Sequence, residues 1–496
     1  MAADPVHVEV RRGAYADSVA LLQVSRDVAA VDGVLAAQVA MATPLNVEVL
    51  AGMGFPVPDC SPNDMVVAIR LADDSRLPDA LAAVDAALRG GSRGGGSAAE
   101  EEAPRTTRSA LSRSDASIAL VSVPGASAAV EAMDALDAGR DVMVFSDNVP
   151  LAQEVALKQT ASSRGLLVMG PDCGTAMVGG VGLGFANAMA AGSGPTVGIV
   201  AASGTGCQQL MCLLSYAGVT VGAALGVGGR DLSAAVGGLS TREALRRLDA
   251  DPTIDQILLV SKPPDPGVGA AIDQLTAALA TPVTAALLGS RGPNLTTAAE
   301  LVLDACRVEA PSWPTWSRDT STRQSRRSGY LRGLFVGGTL CDEAMLLATK
   351  RLGPVRSNIP LSPDLALDAS LTADTHLMVD FGDDGLTLGR AHPMIDPTLR
   401  LEHLHRVAAD AATGVLLMDV VLGHGAEPDP AALLAPAIEA ARRQRDLPVV
   451  VACVGTEGDP QGLSRQAEAL AAAGAQVFLS NFEATMTALD LVETGI

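Results

Sequence analysis

The chain has 496 residues, 48% hydrophobic but only 2% aromatic, so it holds several cores packed on Ala, Val and Leu rather than on rings. A formal net charge of −21 excludes a nucleic-acid binder, whose partner demands a basic footprint. No apolar run reaches the roughly 18 residues that span a bilayer, and seven cysteines without a CxxC pair read as reduced thiols of a cytoplasmic protein, not as disulfides or a zinc site.

Residues 1–88 alternate strand-like runs at 7–11, 34–41 and 65–71 with helical runs at 17–31 and 77–88, which predicts a small α+β domain. A linker at 89–111 follows, dominated by "RGGSRGGGSAAEEEAPRTTR", which has nothing to bury. Residues 112–308 alternate strands and helices as parallel α/β sheets do, with strands expected at 118–123, 141–145, 165–169, 196–201, 219–225, 256–260 and 283–288. Glycines near 192–194 divide them into lobes at 112–193 and 194–308. A second, polar and proline-broken linker at 309–329 carries Trp313 and Trp316, candidates for docking. The last domain, 330–496, is α/β again, with strands expected at 331–336, 376–380, 414–419, 448–453 and 476–479.

The second lobe and the last domain repeat one order. Each runs strand, small-residue turn, helix, strand with a polar or Gly-rich end, then further helices and strands. The turns are Ser203-Gly204-Thr205-Gly206 and Gly337-Gly338-Thr339. Two such units suggest a pseudo-twofold pair with helix N-termini facing one another. Free backbone N–H groups and the helix dipole favour an anion there. An ordinary serine-capped turn would read the same way.

Other polar groups fall at expected strand ends. Arg230 in "GVGGRDL" can clamp a phosphate or carboxylate, or pair with Asp231 at the surface. Lys262 in "SKPPD" is a plausible anion ligand. Asp172 and Cys173 lie in "GPDCGT", where the neighbouring carboxylate disfavours a reactive thiolate and Cys173 reads as structural. "FGDDGLTLGRAHPMIDP" gathers Asp383, Asp384, Arg390, His392 and Asp396, with His392 an acid, a base or a loop residue. His424, Thr456, Glu457, Asp459 and Gln461 end later strands, and no spacing here supports a metal.

In combination these stretches are specific. "VPGASAAVEAMDAL", "GPDCGTAMVGGVGLGFAN", "GIVAASGTG", "GVGGRDL" and "SKPP" resemble, in order, the alpha-subunit pattern of the succinyl-CoA synthetase superfamily. "GGTL", "GRAHPMIDP", "DVVLG" and "GTEGDPQ", with "GAYADSVALL", "MATPLN" and "SPNDMVV" near the start, resemble its FdrA branch. The resemblance implies a Rossmann-like lobe of the CoA-binding type followed by two flavodoxin-like ligase domains. It also implies that residues 203–206 sit at a phosphate site, with Gly337, Gly338 and Thr339 as the facing turn.

The sequence departs from the synthetase pattern in three places. The loop that carries the synthetase's phosphorylated histidine reads "LLGSRGPN", and no histidine lies between His7 and His376. The segment before the first linker is too short for an ATP-grasp domain. The glycines of "SRGGGS" follow a helix, whereas the family's CoA loop follows a Rossmann strand. These departures weigh against bound CoA and nucleotide and fit chemistry with phosphate or carbamoyl phosphate as substrate.

The FdrA resemblance implies one subunit of a hetero-oligomeric carbamoyltransferase, converting oxalurate and phosphate to oxamate and carbamoyl phosphate in allantoin breakdown. Under it Arg230, Arg390 and His392 are the expected catalytic groups, and Lys262, Asp172, Asn187, Thr456 and Gln461 the expected substrate contacts. An acyl-CoA synthetase subunit and a non-catalytic scaffold are the competing readings.

Overall fold

The computed structural model describes residues 5–16, 18–90, 104–190, 192, 194–289, 292–318, 326–387 and 390–492. It forms two compact units, residues 1–103 and 104–496.

The first unit comprises β1 (Val6–Arg11), α1 (Ser18–Ala29), β2 (Val34–Met41), α2 (Pro44–Gly52), β3 (Met65–Leu71) and α3 (Leu77–Gly90). Its antiparallel sheet runs β1-β3-β2. Side chains of β3 alternate between two cores, as the two-residue period of a strand requires. Val67, Ile69 and Leu71 face Leu21, Val24, Val28 and Val84, while Val66 and Ala68 face Leu50 and Phe55. The sequence reading missed α2, although Thr43 caps it and Pro44 opens it, the usual start signals.

The second unit opens with α4 (Thr107–Leu111), β4 (Ile118–Val121), α5 (Gly125–Asp137), β5 (Asp141–Val144), α6 (Leu151–Ser163) and β6 (Val168–Met169), giving a parallel sheet β4-β5-β6. A hairpin of β7 (Thr175–Val178) and β8 (Val181–Gly184) follows. It lies in the span assigned to the first lobe but pairs antiparallel with the next sheet.

That sheet adds β9 (Thr196–Ala201), α7 (Gly204–Tyr216), β10 (Thr220–Gly226), α8 (Leu239–Ala250), β11 (Gln256–Ser261), α9 (Pro266–Thr276), β12 (Val283–Leu287) and α10 (Leu295–Ala305). Its order is β12-β11-β9-β10-β7-β8. Met143, Leu167 and Met169 of the first lobe share a core with Val200, Leu225, Leu245 and Leu259 of the second.

The last sheet is built from β13 (Thr315–Trp316), β14 (Tyr330–Phe335), α11 (Gly338–Leu352), β15 (Arg356–Ser357), β16 (Leu377–Asp380), α12 (Asp384–Thr387), α13 (Thr398–Ala409), β17 (Thr413–Val421), α14 (Pro430–Arg445), β18 (Val449–Val454), α15 (Leu463–Ala472), β19 (Gln476–Phe478) and α16 (Asn481–Leu491). Its order is β13-β19-β18-β17-β14-β16-β15. Every residue of β17 and β18 is buried, as expected for parallel strands covered on both faces. The stretch read as a second linker contributes an edge strand, because β13 pairs with β19. Trp313 is buried beside it and donates to Glu300.

Both parallel sheets follow the flavodoxin strand order, β10-β9-β11-β12 in one and β16-β14-β17-β18-β19 in the other. Such a sheet binds ligands outside the strand C-termini where the order reverses. Those points are the ends of β9 and β11 and of β14 and β17. They carry the Ser203 turn, Lys262 and the Gly337 turn.

Candidate functional site at two facing helix N-termini

The two turns meet, and the contact is reciprocal. Ser203, the residue before α7, shares a 2.5 Å hydrogen bond with the hydroxyl of Thr339, the second residue of α11. Gly337, the residue before α11, packs on Thr205, the second residue of α7. A Cβ at Gly337 would lie 2.9 Å from the Thr205 hydroxyl. Position i touching j while j touches i is the mark of local twofold pairing.

The Ser203 hydroxyl also accepts from Gly206 N–H and so caps α7. Gly337 has no side chain to offer α11. Among the described residues, no protein group accepts from the N–H groups of Gly204 and Thr205 on one side or of Gly338, Thr339 and Leu340 on the other. Five donors without a protein acceptor and two positive dipole ends thus lie in two helix first turns that touch.

Acidic and basic side chains surround this place. Asp380 ends β16 and is 5% exposed. Its Oδ1 accepts from Gly382 N–H at 2.9 Å, and a Cβ at Gly338 would lie 2.7 Å from its Oδ2. Burial pushes its pKa up to about 8, opposed by the Gly382 hydrogen bond, with Asp419 and Asp383 adding to the rise. Asp419 of β17 accepts from Val336 and Gly337 N–H, both at 2.8 Å, and stands 3.6 Å from Arg400.

Lys262 pairs with Asp342 of α11 at 2.5 Å. Burial works against the lysine's charge, but Asp342 and Asp380 outweigh it and its pKa is raised.

Asp172 is exposed by surface area, and neighbouring protein partly desolvates its carboxyl. This desolvation, with Asp384 and Asp147, pushes its pKa up to about 7 against the pull of Arg230 and Lys262. Arg230 donates to Glu154 at 2.8 Å and to the Val149 carbonyl. Behind it the ammonium of Lys158, with no exposed surface, binds Glu154 at 2.9 Å, Asp231 at 2.8 Å and the Val227 carbonyl at 2.7 Å. Arg230 therefore pairs with Glu154 rather than with Asp231.

His392 accepts Met394 N–H at Nδ1, which leaves the proton on Nε2. Burial lowers its pKa to about 4, so at neutral pH it is a neutral N–H donor, suited to orienting a group rather than shuttling protons. Arg390 is exposed and two residues away along the chain.

Three expected substrate contacts, Asn187, Thr456 and Gln461, bond to groups of the chain itself. Asn187 donates to the Leu422 carbonyl and to Asp459, Thr456 donates to the Ala188 carbonyl, and Gln461 donates to Gly423 and Glu427 carbonyls. Asn187 and Thr456 stitch the segment after β8 to the last domain, while Gln461 bonds within that domain. Asp383 caps α12, Asp396 holds Thr398, Glu457 holds Ser464, and Asp459 is part of the same seam. His424 is exposed, with its N–H on the Ala186 carbonyl. Cys173 is buried, and burial raises its pKa to about 12, consistent with a structural thiol. The loop "LLGSRGPN" includes positions 290 and 291, which lie outside the described residues.

Among the described residues no cluster of His, Cys, Asp and Glu is arranged to hold a metal ion, and no helix is long and apolar enough to cross a membrane.

Residues 1–104 match the family described as AllF, heavy metal-associated domain, and residues 334–490 match the CoA-ligase family. The uncharacterized protein YahF of Escherichia coli (strain K12) is 34% identical over 99% of this chain and 99% of its own length. The alpha subunit of an ADP-forming succinate–CoA ligase from Methanothermobacter thermautotrophicus is 30% identical over 30% of this chain and 48% of its own. Among solved structures, the dinucleotide-forming acetyl-coenzyme A synthetase 1 of Ca. Korarchaeum cryptofilum covers 77% of this chain and 86% of its own at 15% identity, with a TM-score of 0.30. With its Rossmann-like lobe, its two flavodoxin-type sheets and a full-length relative, this chain belongs to the family of YahF, within the succinyl-CoA-synthetase-like superfamily.

Proposed function

We propose that the chain is the phosphate-handling subunit of a carbamoyl transfer complex of the FdrA type. The observation that carries the reading is the reciprocal contact of the α7 and α11 N-termini, whose first turns hold five N–H donors without an acceptor among the described residues. Phosphate seated there attacks the carbamoyl carbon of oxalurate, and the same donors stabilise the charge of the tetrahedral intermediate. Lys262, Arg230 and Asp172 line the approach, where the cations hold the substrate carboxylate. Other subunits complete the site.

The test is direct. The complex co-purified with the chain, given oxalurate and phosphate, releases carbamoyl phosphate and oxamate. No carbamoyl phosphate, together with full activity on some other substrate in a Gly337→Ala variant, defeats the reading.

A second reading, an acyl-CoA ligase subunit, is favoured by the match of residues 334–490 to the CoA-ligase family and by the likeness to a succinate–CoA ligase alpha subunit. It requires CoA affinity in the assembled complex, which calorimetry measures. Binding of CoA with thioester formation would replace the first reading by the second.

A further inference from the structure

The α11 side of the site contains a carboxyl group where an anion is expected. Asp380 sits at the first turn of α11, 5% exposed, with Oδ2 directed at Gly338 and without a protein partner among the described residues. Its position is fixed. Oδ1 takes the Gly382 N–H, while the Asn358 side-chain amide grips both the N–H and the carbonyl of the Asp380 backbone, at 2.9 and 2.8 Å. An anion on the N–H groups of Gly338 and Thr339 would therefore lie beside Oδ2. Two adjacent anions in a buried site repel strongly, and the contact becomes favourable only if one of them carries a proton that bridges them.

We propose that Asp380 meets the bound phosphate as a carboxylic acid and is the proton donor to the leaving group in carbamoyl transfer. This inference rests on the carbamoyl transfer reading.

The charged and titratable groups facing Asp380 are Asp419 of β17 with its partner Arg400, Asp383 beyond β16, Cys341 of α11, Lys262 beyond β11, and His392, whose Nε2 lies 2.8 Å from where a Gly382 Cβ would be. Burial and the two aspartates favour the acid form, the ammonium of Lys262 opposes them, and His392 is neutral. Proton holding near pH 8 is consistent with this geometry.

The step balances. An oxygen of hydrogen phosphate forms a bond to the carbamoyl carbon, and the bond from that carbon to the amide nitrogen of oxalurate breaks with its electron pair going to nitrogen. That nitrogen takes the proton of Asp380 and leaves as the amide of oxamate. The phosphate proton returns to the Asp380 carboxylate. Hydrogen phosphate and oxalurate become carbamoyl phosphate and oxamate with no net proton change.

Phosphate binding to the full-length chain, measured by calorimetry from pH 7.5 to 9.5, tests the contact. In this range hydrogen phosphate is already the main species, so a change in affinity reports the protein. We expect wild-type affinity to fall toward tenfold per pH unit above pH 8. Asp380→Asn keeps an N–H donor, so its affinity is expected to be level across the range. In the complex the same variant loses roughly a hundredfold or more of the transfer rate, the usual scale for a general acid. An Asp380→Asn protein that keeps the wild-type pH dependence of binding, or that transfers carbamoyl groups at the wild-type rate, overturns the inference while leaving the functional reading intact. A wild-type chain and complex that bind no phosphate overturn both. An Asp380→Asn variant with unchanged circular dichroism and melting cooperativity shows that the losses are not unfolding.

Discussion

The two halves that meet at the site bury their charges differently. On the α7 side the buried carboxylates of Glu154 and Asp231 are paired. Lys158, wholly buried, binds Glu154 and Asp231, and Glu154 in turn holds Arg230 at the cleft. On the α11 side no cation among the described residues is bonded to Asp380, and Asp419 stands 3.6 Å from Arg400. The helices differ in the same sense, since α7 is capped by a serine hydroxyl and α11 by no side chain. On one side the charges of this buried cluster cancel. The other keeps open valences, and open valences at a strand end are where a ligand binds.

The sharpest way to break the contrast is to unbalance the closed half. Lys158→Met removes the one cation between Glu154 and Asp231 and leaves two buried carboxylates without it. Breaking a buried pair this way costs about 3–5 kcal/mol, so we expect a large drop in denaturation midpoint, together with loss of the Glu154 anchor that holds Arg230. A variant as stable as wild type would mean that the network contributes little.

Gly337→Ala attacks the junction instead. The new methyl would meet the Thr205 side chain at 2.9–3.0 Å, closer than real contacts allow. The turns must part by several tenths of an ångström, and donors fixed for one anion no longer converge. We expect phosphate affinity to fall roughly tenfold to a hundredfold, about 1.4–2.8 kcal/mol, with little change in melting temperature. Calorimetry and thermal denaturation on the same preparation separate the two effects.

This contrast was only partly legible in the sequence. The strands at 34–41 and 65–71 were read to the residue, because alternating or continuous apolar runs between turn residues are local signals. The β7–β8 hairpin was missed although Val178-Gly179-Gly180-Val181 is a hairpin signature. The facing turns were visible as a repeat, but their reciprocal contact was not, since Ser203 and Thr339 belong to different sheets. Asp380 looked like the end of a core strand, and its chemistry depends on Gly338 and Asp419, far along the chain. Glu154 and Lys158 are four apart, a spacing that an ordinary exposed helix pair shares. What decides their role is burial by the loop after β10, which no local pattern reports.

The open half also leaves a pH signature. Asp380 has a folded pKa of about 8, far above the ordinary value near 4 for an unfolded aspartate. Between those values the folded state holds a proton that the unfolded state has released, so this group's contribution to stability is full below about pH 4 and is lost as pH rises through 8. Asn cannot titrate. Relative to wild type, Asp380→Asn should therefore gain stability steadily from pH 5 to pH 8 and hold the gain above it, a change of about a few degrees in Tm. Glu343, pushed by burial to about 6, has the same sign in a lower window and is untouched by this variant, so the difference curve isolates Asp380. A difference that is constant with pH would place the proton elsewhere.

The smallest expected effect tests the asymmetry of the caps. Ser203→Ala removes the hydroxyl that caps α7 and also the bond to Thr339, whereas Thr339→Val removes only the second, because α11 receives no side-chain cap. Loss of a serine cap costs about 1 kcal/mol, and a hydrogen bond at a half-buried site contributes somewhat less. Ser203→Ala should therefore destabilise more than Thr339→Val. The double variant should cost less than the sum of the two, because both single changes delete the same 2.5 Å bond. Additive effects would mean that the two hydroxyls do not bond in solution.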